Sequence, residues 1–197
     1  LYKNIKNNNG YVVSLDEENG VDLKKNNTLD QRFPADVFNY FDLTFLWGSF
    51  QLDYLIKNRN ICHSNIFSFG HTRFELLKSK YQKLYKKDVT LIKKNYNDYI
   101  LINTSFGLGN NILGEDFVNR NYESRIPNLE KIILYEKKQI NHLIKIITYL
   151  SENCNKNLII RPHPEENIEI YKSQFNNIKN IHIIYDKSVI PWMLGAH

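Results

Sequence analysis

Short apolar runs that end in glycine or polar turns alternate along this chain with stretches of three- and four-residue apolar spacing. Residues 11–15 are a β-branched run ending at Asp16-Glu17-Glu18-Asn19-Gly20, which reads as a strand and a polar turn. Residues 43–47 and 66–69 are two further runs, stopped by Gly48 and Gly70, with helical patterns at 36–40, 50–55 and 74–85. A second set of strands is expected at 99–103, 158–160 and 181–185. Between the first two of these, Leu129, Ile132, Ile133, Ile140, Leu143, Ile144, Ile147 and Leu150 recur at helical spacing. They mark the clearest amphipathic helix, opened by Pro127-Asn128 and followed by Asn153 and Asn155. Shorter helices are expected at 168–175 and 191–194. The pattern predicts an α/β chain of two Rossmann-like domains with largely parallel sheets, both incomplete.

The Lys- and Asn-rich stretch from 86 to 98 shifts composition and lacks clear periodicity. The domain junction is therefore expected there: 1–90 as the end of a first domain, 91–98 as a linker, and 99–197 as the first half of a second. No repeat of fixed period is present. The chain opens at Leu1 and stops at His197 in the first turns of a helix, so both ends read as cut from a longer protein.

Composition narrows the class. A 42% hydrophobic and 24% charged chain of 197 residues can bury one good core or two modest ones. Neither a signal-peptide pattern nor an apolar run of about 18 residues occurs, which points to a cytoplasmic protein. The formal charge of +5 is spread over lysines that alternate with acids, as at Lys131, Glu136, Lys137 and Lys138. That favours a solvated surface over nucleic-acid binding, and leaves phosphate-bearing substrates or an anionic membrane surface compatible. Cys62 and Cys154 are far apart and read as ordinary reduced thiols.

Three loops could carry chemistry. Arg161-Pro162-His163-Pro164 follows an apolar strand directly, and its two prolines can continue neither a ladder nor a helix, which holds His163 at the strand's C-terminal edge. Open α/β sheets bind ligands at that edge. Arg161 as a fixed fork and His163 as donor or proton carrier suit phosphate or pyrophosphate; the alternative is that Arg161 pairs with Glu165 or Glu166 and His163 caps the next helix. Asp16-Glu17-Glu18 could raise one another's pKa and supply a general base, or be a solvated acidic turn. Gly70-His71-Thr72-Arg73 could meet a phosphate or a sugar hydroxyl, or be a plain strand-to-helix turn. The loop from Thr104 to Asn111 carries Gly107 and Gly109 but lacks the spacing of a P-loop or a dinucleotide fingerprint. Its backbone amides could still approach a donor phosphate. No metal is expected, since no second acidic cluster follows at useful spacing. His142 and His182 read as structural.

Six blocks in order resemble the surface carbohydrate biosynthesis proteins, glycosyltransferases of the GT-B type. They are Asp16-Glu17-Glu18, Phe45-Leu-Trp47-Gly48, Phe69-Gly70-His71-Thr72-Arg73-Phe74-Glu75-Leu76-Leu77, Ile100-Leu-Ile-Asn103-Thr104-Ser-Phe106-Gly107, Ile159-Ile-Arg161-Pro162-His163-Pro164 and Val189-Ile-Pro191-Trp192-Met-Leu194-Gly195-Ala196. More distantly, the His-Pro element is similar to that of capsule Kdo transferases and of teichoic acid glycerophosphotransferases. The third block has His71-Thr72 where the family more often shows Asn-Pro.

The resemblance implies a nucleotide-sugar donor linked to CMP, CDP or UDP, with no further cofactor, and a glycan or lipid-linked acceptor. Arg161 and His163, with Asn103, Thr104 and Gly107, would contact the donor phosphates; Asp16, Glu17 and Glu18 would face the acceptor, with Gly70 and Arg73 in a further loop of the cleft. The product would be a capsule, O-antigen or similar bacterial glycan. Peripheral contact with the inner membrane surface is compatible, and no nucleic-acid partner is expected. The alternatives are a sugar-nucleotide epimerase of the same architecture and a catalytically inactive scaffold of a polysaccharide synthesis or export complex.

Overall fold

The computed structural model describes residues 1–17, 28–59, 61, 63–185 and 188–196. Glu18 and Cys62 lie outside these residues. The chain forms two compact units, Leu1–Lys83 and Leu84–His197, each an α/β unit around its own three-stranded parallel sheet.

In the first unit, helix α1 (Tyr2–Asn7) precedes strand β1 (Val13–Leu15), and α2 (Thr28–Arg32) with a 3-10 turn at Ala35–Asn39 leads to β2 (Leu43–Leu46). Helix α3 (Ser49–Arg59) then leads to β3 (Ile66–Ser68), and short helices α4 (Thr72–Glu75) and α5 (Ser79–Gln82) follow. The strand order is β1-β2-β3, with Leu15 opposite Phe45 and Phe45 opposite Phe67. Period-two alternation sends Leu46 and Ile66 into a core with Leu29, Phe33 and Leu55. The opposite set, with Val13 and Leu15 at least half exposed, includes Phe45 and Phe67, whose rings stack at 5.7 Å.

The second unit begins with α6 (Lys86–Tyr96) and continues through β4 (Tyr99–Asn103), α7 (Glu115–Tyr122), α8 (Leu129–Asn153), β5 (Asn157–Arg161), α9 (Glu169–Phe175), β6 (Ile181–Ile183) and α10 (Ile190–Gly195). Its order is β4-β5-β6, with Asn103 in register with Arg161 and Ile160 with Ile183. Leu158 and Ile160 pack with Ile147 of α8 and with Tyr171 and Phe175 of α9. Ile159 points the other way, to Ile92 of α6, Tyr99 and Trp192 of α10. This sheet is therefore covered on both faces, which is why β5 reads as a continuous apolar run. The Tyr99 hydroxyl donates to the Trp192 carbonyl at 2.7 Å and burial pushes its pKa up to about 12. A Cβ on Gly195 would stand 2.6 Å from that hydroxyl, so the helix and the strand meet where only glycine fits.

Three expectations are corrected. Residues 91–98 are not a linker: 91–96 end helix α6, whose inward side is lined by Val89, Ile92 and Tyr96 with Tyr85 just before it, and the division between the units falls at Lys83. The helix expected at 74–85 is broken into short pieces, with Lys78 extended between them. His142, expected to be structural, is exposed on α8.

Candidate functional site

The C-terminal edge of the second sheet gathers five of the ten predicted residues, Asn103, Thr104, Gly107, Arg161 and His163. Asn103 ends β4, exposed, beside Arg161, which ends β5 half-buried. The Thr104 amide donates to the Arg161 carbonyl at 3.1 Å, carrying the strand pairing one residue past the ladder. Pro162 is buried, while His163, Pro164 and Glu165 are exposed. Here the prolines end β5 and turn the chain outward, as their missing amide hydrogens require.

The turn is fixed by Glu166, which the sequence offered only as an alternative partner of Arg161. Glu166 is fully buried, and its Oε1 accepts from the His163 amide at 3.0 Å and from Thr104 Oγ1 at 2.7 Å. Its Oε2 accepts from the Tyr171 hydroxyl at 2.6 Å, and its own amide donates to the His163 carbonyl at 2.9 Å. Burial and the Glu166 carboxylate together push the Tyr171 hydroxyl well above its ordinary pKa. One carboxylate thereby ties the loop after β5 to the loop after β4 and to α9. The signal was available in the three-residue step from His163 to Glu166, a turn-closing distance.

The His163 ring is also oriented. Its Nδ1 accepts from the Glu165 amide at 3.3 Å, which places the proton of the neutral ring on Nε2. The exposed imidazole thus presents an N–H donor to solvent. The Tyr185 hydroxyl donates to the Pro164 carbonyl at 3.1 Å and braces the loop from β6.

The glycine loop after β4 is used differently from what its composition suggests. The amides of Leu108 and Gly109 donate to Glu136 Oε2 on α8, at 3.0 and 2.6 Å, so they are engaged within the fold. A Cβ on Gly109 would lie 3.0 Å from the Lys137 backbone nitrogen and 2.5 Å from Glu136 Cβ; the glycine allows loop and helix to touch. A Cβ on Gly107 would meet the Glu165 side chain, its Oε2 at 2.9 Å and its Cβ at 3.5 Å. The loop is pinned at its far end too, where the Ile112 amide donates to the Glu165 carbonyl and the Asn167 amide to the Asn110 carbonyl, both at 2.8 Å.

In the first unit, Asp16 is buried at the end of β1. Its Oδ2 accepts from Gln51 Nε2 at 2.6 Å and from Arg32 Nη2 at 3.1 Å, and Gln51 Oε1 in turn accepts from the Trp47 amide. Its carboxylate therefore joins β1 to α2 and α3. Glu17 is more open, accepting from Thr72 Oγ1 at 3.0 Å with Arg73 Nη2 at 3.9 Å. Gly70 takes a φ of +96°, a turn conformation that suits glycine. His71 is buried, caps α4 by accepting from the Arg73 amide at 3.2 Å, and stacks on Phe74. Gln51 and Arg32 were also missed in the sequence. Gln51 follows Trp47 by one helical turn; Arg32 gave no local signal.

Among the described residues no group of three or more His, Cys, Asp or Glu side chains is placed to hold a metal ion. No helix among them is long and apolar enough to cross a membrane.

No family model matches the chain, and no curated protein matches it. Among solved structures, the UDP-N-acetylglucosamine 2-epimerase from Rickettsia bellii overlays with a TM-score of 0.49 at 14% identity, across 96% of this chain and 43% of that one. The chain spans less than half the length of that structure, and a likeness of this degree carries no functional argument.

Proposed function

We propose that the chain is part of a glycosyltransferase-like enzyme of bacterial surface polysaccharide synthesis, moving a sugar from a nucleotide-linked donor to a glycan or lipid-linked acceptor. The observation that supports this best is the clamped turn at His163. An exposed imidazole with Nε2–H outward, on a backbone fixed by Glu166, stands two residues beyond a strand-end guanidinium. Paired donors of this kind suit the oxygens of a donor phosphate.

In the proposed reaction the acceptor oxygen bonds to the anomeric carbon as the bond from that carbon to the donor phosphate breaks. The nucleotide leaves with the bonding pair, and Arg161 and His163 meet the growing negative charge. The acceptor's proton passes to a carboxylate base. Within the first unit, Asp16 is held by Arg32 and Gln51 while Glu17 faces solvent. A CMP-, CDP- or UDP-linked sugar is the donor class.

Calorimetric titration of the chain with CMP-, CDP- and UDP-sugars tests the reading. Binding of one class is expected, weakened about tenfold or more by His163→Ala or Arg161→Ala, in line with the loss of a charge-assisted contact. No binding of any of the three overturns it. Conversion of the sugar nucleotide without an acceptor would instead assign the site to an epimerase.

A further inference from the structure

The positive charge of this protein is not evenly spread. Between residues 78 and 94 seven lysines stand against one acid, Asp88, so this stretch holds a net +6 while the whole chain holds +5. The expectation of lysines alternating with acids fails here. Lys78 and Lys80 lie near Glu75, but Lys83, Lys86, Lys87, Lys93 and Lys94 form no ion pair among the described residues.

Helix α6 orders the C-terminal part of this stretch. Tyr85, just before the helix, begins an inward stripe that continues through Val89, Ile92 and Tyr96 at helical spacing; Ile92 and Tyr96 pack with Tyr99 and Trp192. The outward face is Lys87, Leu91 and Lys94, beside Lys86, Thr90 and Lys93, all exposed. Lys86, Lys87, Thr90, Leu91 and Lys94 together line a shallow depression. Leu91 is 59% exposed within it, and Leu84, two residues before the helix, is 64% exposed. A helix with one side buried in its own core therefore shows solvent a second side made of lysines with leucines set among them.

We propose that this face docks the protein on an anionic lipid bilayer, the lysines at the headgroup phosphates and Leu84 and Leu91 in the interface. The inference stands apart from the donor chemistry at His163. Two observations favour lipid over nucleic acid. The stretch contains no arginine, the side chain suited to bidentate phosphate and base contacts. Exposed leucines gain nothing from a phosphate backbone, whereas a bilayer interface takes up both apolar and cationic groups.

The test uses the 197-residue chain and sedimenting vesicles, either pure phosphatidylcholine or phosphatidylcholine with phosphatidylglycerol. The chain is expected to sediment with the mixed vesicles only, and to be released as salt rises past about 0.15 M, where the screening length falls to roughly 8 Å. Each interfacial lysine is worth about fivefold in partitioning. The combined Lys86→Gln, Lys87→Gln, Lys93→Gln and Lys94→Gln variant should then lose on the order of several-hundred-fold. Leu91→Ser should lose a few-fold at constant charge. Because all five side chains are exposed, unchanged melting curves are expected for both variants. Three results would overturn the proposal: no sedimentation with anionic vesicles at low salt, full binding by the lysine variant, or binding indifferent to Leu91→Ser. Tighter binding to a DNA or RNA oligonucleotide than to the vesicles, lost in the lysine variant, would reassign the face to nucleic acid.

Discussion

Glu166 holds the backbone of His163 from both sides: its carboxylate accepts the His163 amide hydrogen at 3.0 Å, and its own amide donates to the His163 carbonyl at 2.9 Å. The same carboxylate accepts from Thr104 and Tyr171, so three donors depend on one buried acid. Removing it leaves an amide and two hydroxyls without their acceptor, in a place where water is excluded. Glu166→Ala is expected to cost about 3–5 kcal/mol and Glu166→Gln about 1–3 kcal/mol. Urea unfolding checks this; an alanine variant within 1 kcal/mol of the parent would show that the carboxylate does not hold the turn.

The tautomer of His163 follows from its other contact. With Nδ1 accepting from the Glu165 amide, the neutral ring carries its proton on Nε2. Nitrogen-15 spectra taken well above neutral pH should show a bare Nδ1 and a protonated Nε2. The opposite pattern would remove the donor on which the proposed phosphate contact depends.

Loop and helix touch at Gly109. Gly109→Ala is expected to lose about 1–3 kcal/mol, because the new methyl meets the Lys137 backbone, which cannot move without bending α8. Gly107→Ala should cost less, since its nearest neighbour is the end of the flexible Glu165 side chain. Equal losses at the two positions would place the contact elsewhere.

These contacts show where the sequence could be read and where it could not. The six strands among the described residues stand where the short apolar runs predicted them, because a parallel strand writes itself as a short apolar run closed by glycine or a polar residue. Helix α8 was equally plain, its stripe being long enough to set the period. Helix α6 was hidden: its lysines and asparagines set the composition, while the stripe of Tyr85, Val89, Ile92 and Tyr96 is half aromatic. At the site, the prolines marked the turn at His163. The acids were harder, because the letters of Asp16 and Glu17 do not tell that one is buried against Arg32 and Gln51 while the other meets solvent. Glu166 looked like its exposed neighbour Glu165 for the same reason. Burial of a polar group is decided by partners far along the chain, such as Thr104, and these become neighbours only when the strands pair.

His182 makes the second sheet sensitive to acid. It lies half-buried on β6, edge-on to Tyr96 at 5.0 Å, with Nε2 3.2 Å from Asn157 Oδ1. Burial lowers its pKa below the ordinary 6.5, since the fold favours the neutral ring. The unfolded chain therefore binds more protons than the folded one as pH falls through the ordinary value. The stability contributed by the neutral ring is fully present above about pH 6.5 and is lost progressively as pH falls through the lowered folded-state pKa. Carboxylates also titrate further into acid, so the histidine is isolated by substitution. His182→Asn keeps a polar side chain without a titrating ring. Melting temperatures measured between pH 7.5 and 5.5 should fall for the parent and stay flatter for the variant. Parallel curves would mean that the acid sensitivity arises at another group.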